Sequence, residues 1–146
     1  MKTNKISASL EDYLEAIYQI IEKKQGVKAV EIARYLNVGR SSVTEALKNL
    51  ANKGLVNYGR YDVISLTEEG KKAALDVIFK HELLFGFFHN ILNLTDEEAN
   101  DNACKIEHVI SEKAFLNLKK YVEFIENLKS QNKIFLTAFN DFIKNV

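Results

Sequence analysis

Apolar positions recur with a helical period through most of the chain and alternate in one short stretch. Leu10, Tyr13, Leu14, Ile17, Tyr18 and Ile21 predict an amphipathic helix running to about Lys24. Ser9 and Asp12 have capping-box spacing at its start, and Gly26 closes it. A shorter helix over 30–36 turns Ile32, Ala33 and Leu36 inward. Asn37-Val38-Gly39-Arg40 then forms a tight turn, with Gly39 available for a positive φ. Ser41 and Ser42 open a further helix that buries Val43, Ala46, Leu47 and Leu50 and stops at Lys53-Gly54. Residues 55–58 and 61–66 alternate around Gly59-Arg60 and read as a β-hairpin. Thr67 caps a long helix from 68 to about 93, with Leu75, Ile78, Phe79, Leu83, Leu84, Phe87, Phe88 and Ile91 on its apolar face. Thr95 and Glu98 make a second capping box, and two more amphipathic helices cover 112–128 and 133–146.

Two short helices joined by a tight turn and followed at once by a hairpin form a winged helix-turn-helix. On the outer face of its second helix lie Arg40, Ser41, Ser42, Thr44, Glu45 and Lys48, which can bond phosphates and base edges. Arg60 and Tyr61 at the wing tip would reach the sugar-phosphate backbone. The expected fold class is mainly α: an N-terminal winged helix-turn-helix of three helices and a small β-hairpin over 1–75, then an all-helical domain over 76–146. The Phe- and Leu-rich helices of that second part suit a dimerisation surface or an intramolecular cap.

Composition sharpens this picture in a few places. The 146 residues are 47% hydrophobic and carry no net charge, so no whole-molecule field attracts nucleic acid. Residues 1–75 nevertheless hold 12 Lys and Arg against 9 Asp and Glu, and the remainder 8 against 11. The front half is the better partner for phosphates. There is no Pro, in keeping with a helical chain, and no apolar run of membrane-spanning length. One Cys cannot form an internal disulfide, which points to a reducing, cytoplasmic setting.

Within 103–111, Cys104, Glu107 and His108 place a thiol, a carboxylate and an imidazole in five residues. In a helix they crowd one face, with Ile106, Val109 and Ile110 pinning that helix to a core. They read either as a divalent-metal site or as a buried Cys beside a solvated Glu and His. Asp12 and Glu15, i,i+3 on the first helix, have a plain explanation as first-turn carboxylates that suit the helix dipole. His81 and His89 have none of their own beyond ordinary packing.

Taken in order, Ser9-Leu-Glu-Asp-Tyr-Leu-Glu-Ala-Ile-Tyr18, Ser41-Ser-Val-Thr44, Leu66-Thr-Glu-Glu-Gly-Lys71, Lys80-His-Glu-Leu-Leu84 and the 103–111 stretch resemble the DtxR/MntR family of metal-dependent repressors. The resemblance implies a homodimer that binds double-stranded operator DNA when divalent metal is loaded. It implies a ligand set of Asp12, Glu15, His81, Cys104, Glu107 and His108. Five of these six keep the residue type of the manganese branch; Cys104 stands where that branch has Glu and the iron branch has Cys. Asp12 stands where the iron branch has Met, while Phe85 and Asn100 replace the Glu and His of that branch's other site. The resemblance is to the short, manganese-regulator-like form, which is expected to lack the SH3-like domain of the iron branch. Carboxylates and imidazole suit Mn²⁺ or Fe²⁺, and a thiolate shifts preference toward Fe²⁺, Co²⁺ or Zn²⁺. The thiol must lose its proton to bind, which makes loading pH-dependent.

The expected activity is transcriptional repression of manganese or iron uptake genes, with no enzymatic function, no organic substrate and no membrane partner. Against it stand a winged-helix regulator answering to an organic ligand or to oxidation of Cys104, and a metal-dependent hydrolase. The hydrolase reading lacks a nucleophile motif and leaves the winged helix without a purpose.

Overall fold

The computed structural model describes residues 6–24, 26–59, 63–131 and 133–144, with the backbone alone at 133–136. Ser7, not Ser9, caps the first helix, α1 (Ala8–Ile21): its hydroxyl accepts from Leu10 N at 3.4 Å. This shifts the helix start by two residues, and Glu11 becomes its first-turn acid. Asp12 and Glu15 therefore lie past the turn in which the dipole acts, and the dipole does not account for them. Tyr13, Leu14, Ala16 and Ile17 form the buried stripe that the apolar period anticipates.

The next helix, α2 (Ala29–Leu36), ends on Asn37, which takes the left-handed conformation at φ 53°. Gly39, expected to supply the positive φ, sits instead at φ −70° as the extended N-cap of α3 (Arg40–Asn52). Asn enters this region more readily than other side chains because it can bond locally to the backbone. Val43, Ala46, Leu47 and Leu50 are the buried face of α3, as their spacing requires.

Strands β1 (Val56–Tyr58) and β2 (Ile64–Leu66) pair antiparallel, with Val56 opposite Leu66 and Tyr58 opposite Ile64. Val27 bridges to Ile64 as well, Ile64 N donating to Val27 O at 2.8 Å. Gly26, at φ +75°, turns the chain into that bridge. A one-residue pairing has no periodicity, so the apolar pattern could not announce it. Leu14, Ile17, Ile32, Leu47, Leu50 and Ile64 are fully buried in the core these elements share. Each such side chain contributes about 1.5–3 kcal/mol of transfer free energy.

Thr67 starts α4 (Glu68–Gly86) and ties it to the turn after α3. Its hydroxyl accepts from Gly70 N at 3.0 Å and donates to Gly54 O at 2.7 Å, while its own N donates to Leu55 O at 3.1 Å. The apolar face of α4 differs from expectation: Ala74, Val77 and Leu84 are buried, whereas Leu75 and Phe79 are exposed. A wide apolar stripe does not show where its centre lies. The helix also stops short of 93, giving way to a π-helical turn, Phe87–Ile91, closed by Leu92 N to Phe87 O at 3.1 Å.

The chain divides into two compact units, Met1–Phe79 and Lys80–Val146. In the second, α5 (Asp96–Ile106) opens on the expected Thr95–Glu98 capping box, and the backbone and hydroxyl bonds from Thr95 hold the Glu98 carboxyl below its ordinary value. Helices α6 (Glu112–Gln131) and α7 (Lys133–Lys144) follow. Ile91, Val122 and Ile125 form the buried centre, flanked by Leu83, Phe87, Leu92, Leu118 and Leu128. Leu116, Phe124 and Phe142 stay exposed. Among the described residues no helix is long and apolar enough to cross a membrane.

Candidate metal centre and nucleic-acid interface

Helix α5 places the 103–111 stretch differently from a continuous helix. It ends at Ile106, Glu107 is its C-cap, and residues 107–109 form a turn closed by Val109 N to Ile106 O at 3.0 Å. Val109 is consequently 74% exposed and does not pin the segment. The buried residues of α5 are Ala99 and Ala103, both at 0% exposure, and α5 packs against the π-helical turn. Glu107 continues the same i, i+4, i+8 row and is drawn inward with it. At 2% exposure it is the one charged side chain in the buried class among the described residues. The expected alternative of a buried Cys beside a solvated Glu is inverted, because Cys104 is exposed.

A buried carboxylate needs compensating partners. Glu107 has two imidazoles: Oε2 lies 2.7 Å from His81 Nδ1, and Oε1 lies 3.2 Å from His108 Nε2. Cys104 Sγ is 3.8 Å from the same His81 nitrogen. One donor atom each from His81, Cys104 and Glu107 falls within 4.8 Å of the others. Around one transition-metal ion, with bonds of about 2.0–2.3 Å, donors stand roughly 3–4 Å apart. Small side-chain shifts would thus close this set on an ion. Nitrogen, sulfur and carboxylate oxygen together suit a first-row divalent cation, so the residues present fit a metal.

His81 comes from α4, Cys104 from the last turn of α5, and Glu107 and His108 from the turn that follows, so residues 23 or more positions apart in sequence are brought together. His89 stands outside the cluster, with Nδ1 3.0 Å from Leu94 O and 3.3 Å from Asp96 Oδ1. Phe85 is the neighbour that sequence reasoning left without a role. It stacks on His81 at 6.5 Å between centroids, and its i,i+4 spacing on an apolar helix was the available signal. Asp12 and Glu15 lie on α1 in the first unit.

On α3, Arg40, Ser41, Ser42, Glu45 and Lys48 are exposed. Thr44 is half-buried and its hydroxyl donates back to Arg40 O at 3.0 Å, which leaves it a methyl and an acceptor to present. Burial first, then the carboxylates of Asp12 and Glu45, push the Tyr13 phenol up. Arg60 and Tyr61 lie outside the described residues.

A winged helix-turn-helix joined to a helical domain with this cluster defines a DNA-binding regulator class. Residues 5–64 match the N-terminal DNA binding domain of the iron dependent repressors, and 67–136 match their metal binding and dimerisation domain. The chain belongs to the iron-dependent repressor (DtxR/MntR) family, whose members are metal-responsive, DNA-binding transcriptional regulators. It is 40% identical over 119 residues to an HTH-type transcriptional regulator of Methanocaldococcus jannaschii, covering 81% of this chain and 95% of that one. To the regulator MntR of Bacillus subtilis it is 32% identical over 125 residues, 86% and 87% of the two chains. A manganese-dependent transcriptional repressor solved with manganese is similar at TM-score 0.71 and 30% identity, over 79% of this chain and 53% of that one. The chain thus spans about half the length of that solved structure.

Proposed function

We propose that this chain is a repressor whose affinity for double-stranded operator DNA is raised by a divalent metal co-repressor, Mn²⁺ or Fe²⁺, with Zn²⁺ or Co²⁺ able to substitute in vitro. The observation that carries the reading is the convergence of His81, Cys104 and His108 on the buried Glu107 in a member of this family. His81, Cys104, Glu107 and His108 would hold the ion; Asp12 and Glu15 complete the proposed ligand set on the family resemblance. When bound, the metal supplies positive charge and a fixed coordination geometry. The chain's own part is to keep a buried carboxylate and two oriented imidazoles in place. We place it in the cytoplasm as a homodimer without enzymatic activity, acting at metal-uptake genes, with domains over 1–75 and 76–146. A dimer presents two recognition helices to successive major grooves.

The test is selection of duplex DNA from a random library, followed by titration with Mn²⁺, anaerobic Fe²⁺, Zn²⁺ and Co²⁺. Affinity that ignores chelation and metal re-addition would discard the proposal. In the same assay, Cys104→Glu is expected to move the ranking of metals toward Mn²⁺, because a hard oxygen replaces a soft sulfur. An unchanged ranking would show that the thiol does not set selectivity. The exposed thiol also favours a second reading, in which oxidation of Cys104 is the signal. That reading requires Asp12→Ala and His81→Ala to leave regulation intact.

Arg40, Ser41, Ser42, Thr44, Glu45 and Lys48 are the proposed DNA contacts of α3, with Arg60 and Tyr61 from the wing. If Lys48 meets a phosphate, Lys48→Ala weakens binding to all sequences alike and reduces the slope of log affinity against log salt by about 1. A loss confined to one base position would instead make Lys48 a base contact.

A further inference from the structure

Three rings stand in a row on one side of α4 and its π-helical extension. His81 and Phe85 stack with centroids 6.5 Å apart and planes 17° from parallel; Phe85 and His89 stack at 5.6 Å and 16°. Both ends of the row are anchored on the segment that follows. His81 Nδ1 meets Glu107 at 2.7 Å, and His89 Nδ1 meets Leu94 O at 3.0 Å and Asp96 Oδ1 at 3.3 Å.

An uninterrupted α-helix would not keep such a row straight. At 3.6 residues per turn, each step of four residues rotates a stripe by about 40°. The Phe87–Ile91 turn is π-helical, and its i→i+5 bonding places one more residue in the turn, which offsets much of that drift between Phe85 and His89. The second stack is accordingly the closer of the two. The π turn thus keeps His89 in line with a ring that touches His81.

We infer that Phe85 is a positioning residue for the proposed metal centre: held between His81 and His89, it fixes the plane of the His81 imidazole so that Nδ1 stays directed at Glu107 and Cys104. An imidazole has two flat faces and rotates about χ2 at little cost. Glu107 restrains it at one atom only, whereas a ring against its face restrains the plane. Such support outside the ligand atoms is how metal-ligating histidines are commonly oriented. The inference rests on the metal reading given above for its consequence, though not for its geometry.

The test uses the full chain carrying Phe85→Leu, Phe85→Tyr or His89→Ala. In the metal-free protein, the imidazole nitrogen and ring-proton resonances of His81 are expected to broaden in Phe85→Leu, beyond the shift that loss of the Phe85 ring current causes by itself. They should hold their positions in Phe85→Tyr and shift by less in His89→Ala. Titration with Co²⁺ alone, read by its absorption, is expected to show about tenfold weaker binding for Phe85→Leu and values within about twofold of the parent for Phe85→Tyr. Sharp His81 resonances and an unchanged Co²⁺ affinity in Phe85→Leu would overturn the inference, as would an equal loss in the Leu and Tyr variants. If the parent chain takes up no Co²⁺, the metal reading fails, while the metal-free resonances still decide the role of Phe85. Should Phe85→Leu not fold, His89→Ala decides through the same resonances, since it removes a side chain 41% exposed.

Discussion

Glu107→Ala is expected to abolish metal-dependent DNA binding at metal concentrations that saturate the parent protein. The carboxylate is 2% exposed and is the acceptor shared by His81 and His108. Truncating one partner of a buried, hydrogen-bonded charged group costs about 2–5 kcal/mol, equivalent to roughly 30- to 4,000-fold in affinity. The metal-free protein should lose about 1–3 kcal/mol of stability, because two half-buried imidazoles lose their common acceptor. Glu107→Gln separates the two effects. The amide keeps the size and part of the hydrogen bonding, so stability should recover more than metal affinity, which needs the negative charge. Calorimetric metal titration and thermal unfolding read the two quantities independently. Metal affinity in Glu107→Ala within a few-fold of the parent would remove Glu107 from the ligand set.

Gly70→Ala should destabilise the first unit by about 3 kcal/mol or more, at the upper end of overpacking costs. A Cβ at Gly70 would stand 1.8 Å from Leu55 O and 2.8 Å from Leu55 C. Those are backbone atoms, so no rotamer change relieves the clash. The start of α4 must lift away, and with it the Thr67 bonds to Gly54 O and Leu55 O. For a unit of this size, a fall in Tm of more than about 10 °C follows. Since Leu55 leads from the C-terminal end of α3 into β1, DNA affinity should drop with and without metal. Thr67→Ala provides the scale: it removes a cap while leaving the backbone contact, for about 1 kcal/mol. A Gly70→Ala protein as stable as Thr67→Ala would show that α4 can move off the α3 turn cheaply.

The winged helix-turn-helix was legible because its signals are local and mutually consistent. Val43, Ala46, Leu47 and Leu50 lie on one face of α3 at any helical register, and whatever packs there finds the same four side chains. The Thr95–Glu98 box is likewise contained in four residues. Where two residues could play one part, the choice was not local. The spacing put the α1 cap at Ser9 and the positive φ at Gly39, whereas the structure puts them at Ser7 and Asn37. Each outcome depends on where the neighbouring helix must begin. The residues of the proposed metal site were recognisable by type and by likeness to a family, but their surroundings were misjudged. Burial of Glu107 follows from Ala99 and Ala103, two residues too small and unremarkable to register as a core stripe.

By itself the sequence determined the order of the helices, the Thr67 and Thr95 caps, the hairpin and the identity of the chemically active side chains. These depend on periodicity, capping chemistry and functional groups, all of which act over one or two turns of chain. Only the tertiary structure decided that Glu107 is inside and Cys104 outside, that His81 meets both, and that α4 changes to a π turn beside Phe85. It also decided that Val27 bridges to Ile64. Each of these depends on which surface arrives from a distant part of the chain and how closely it can approach, and no local pattern encodes that distance.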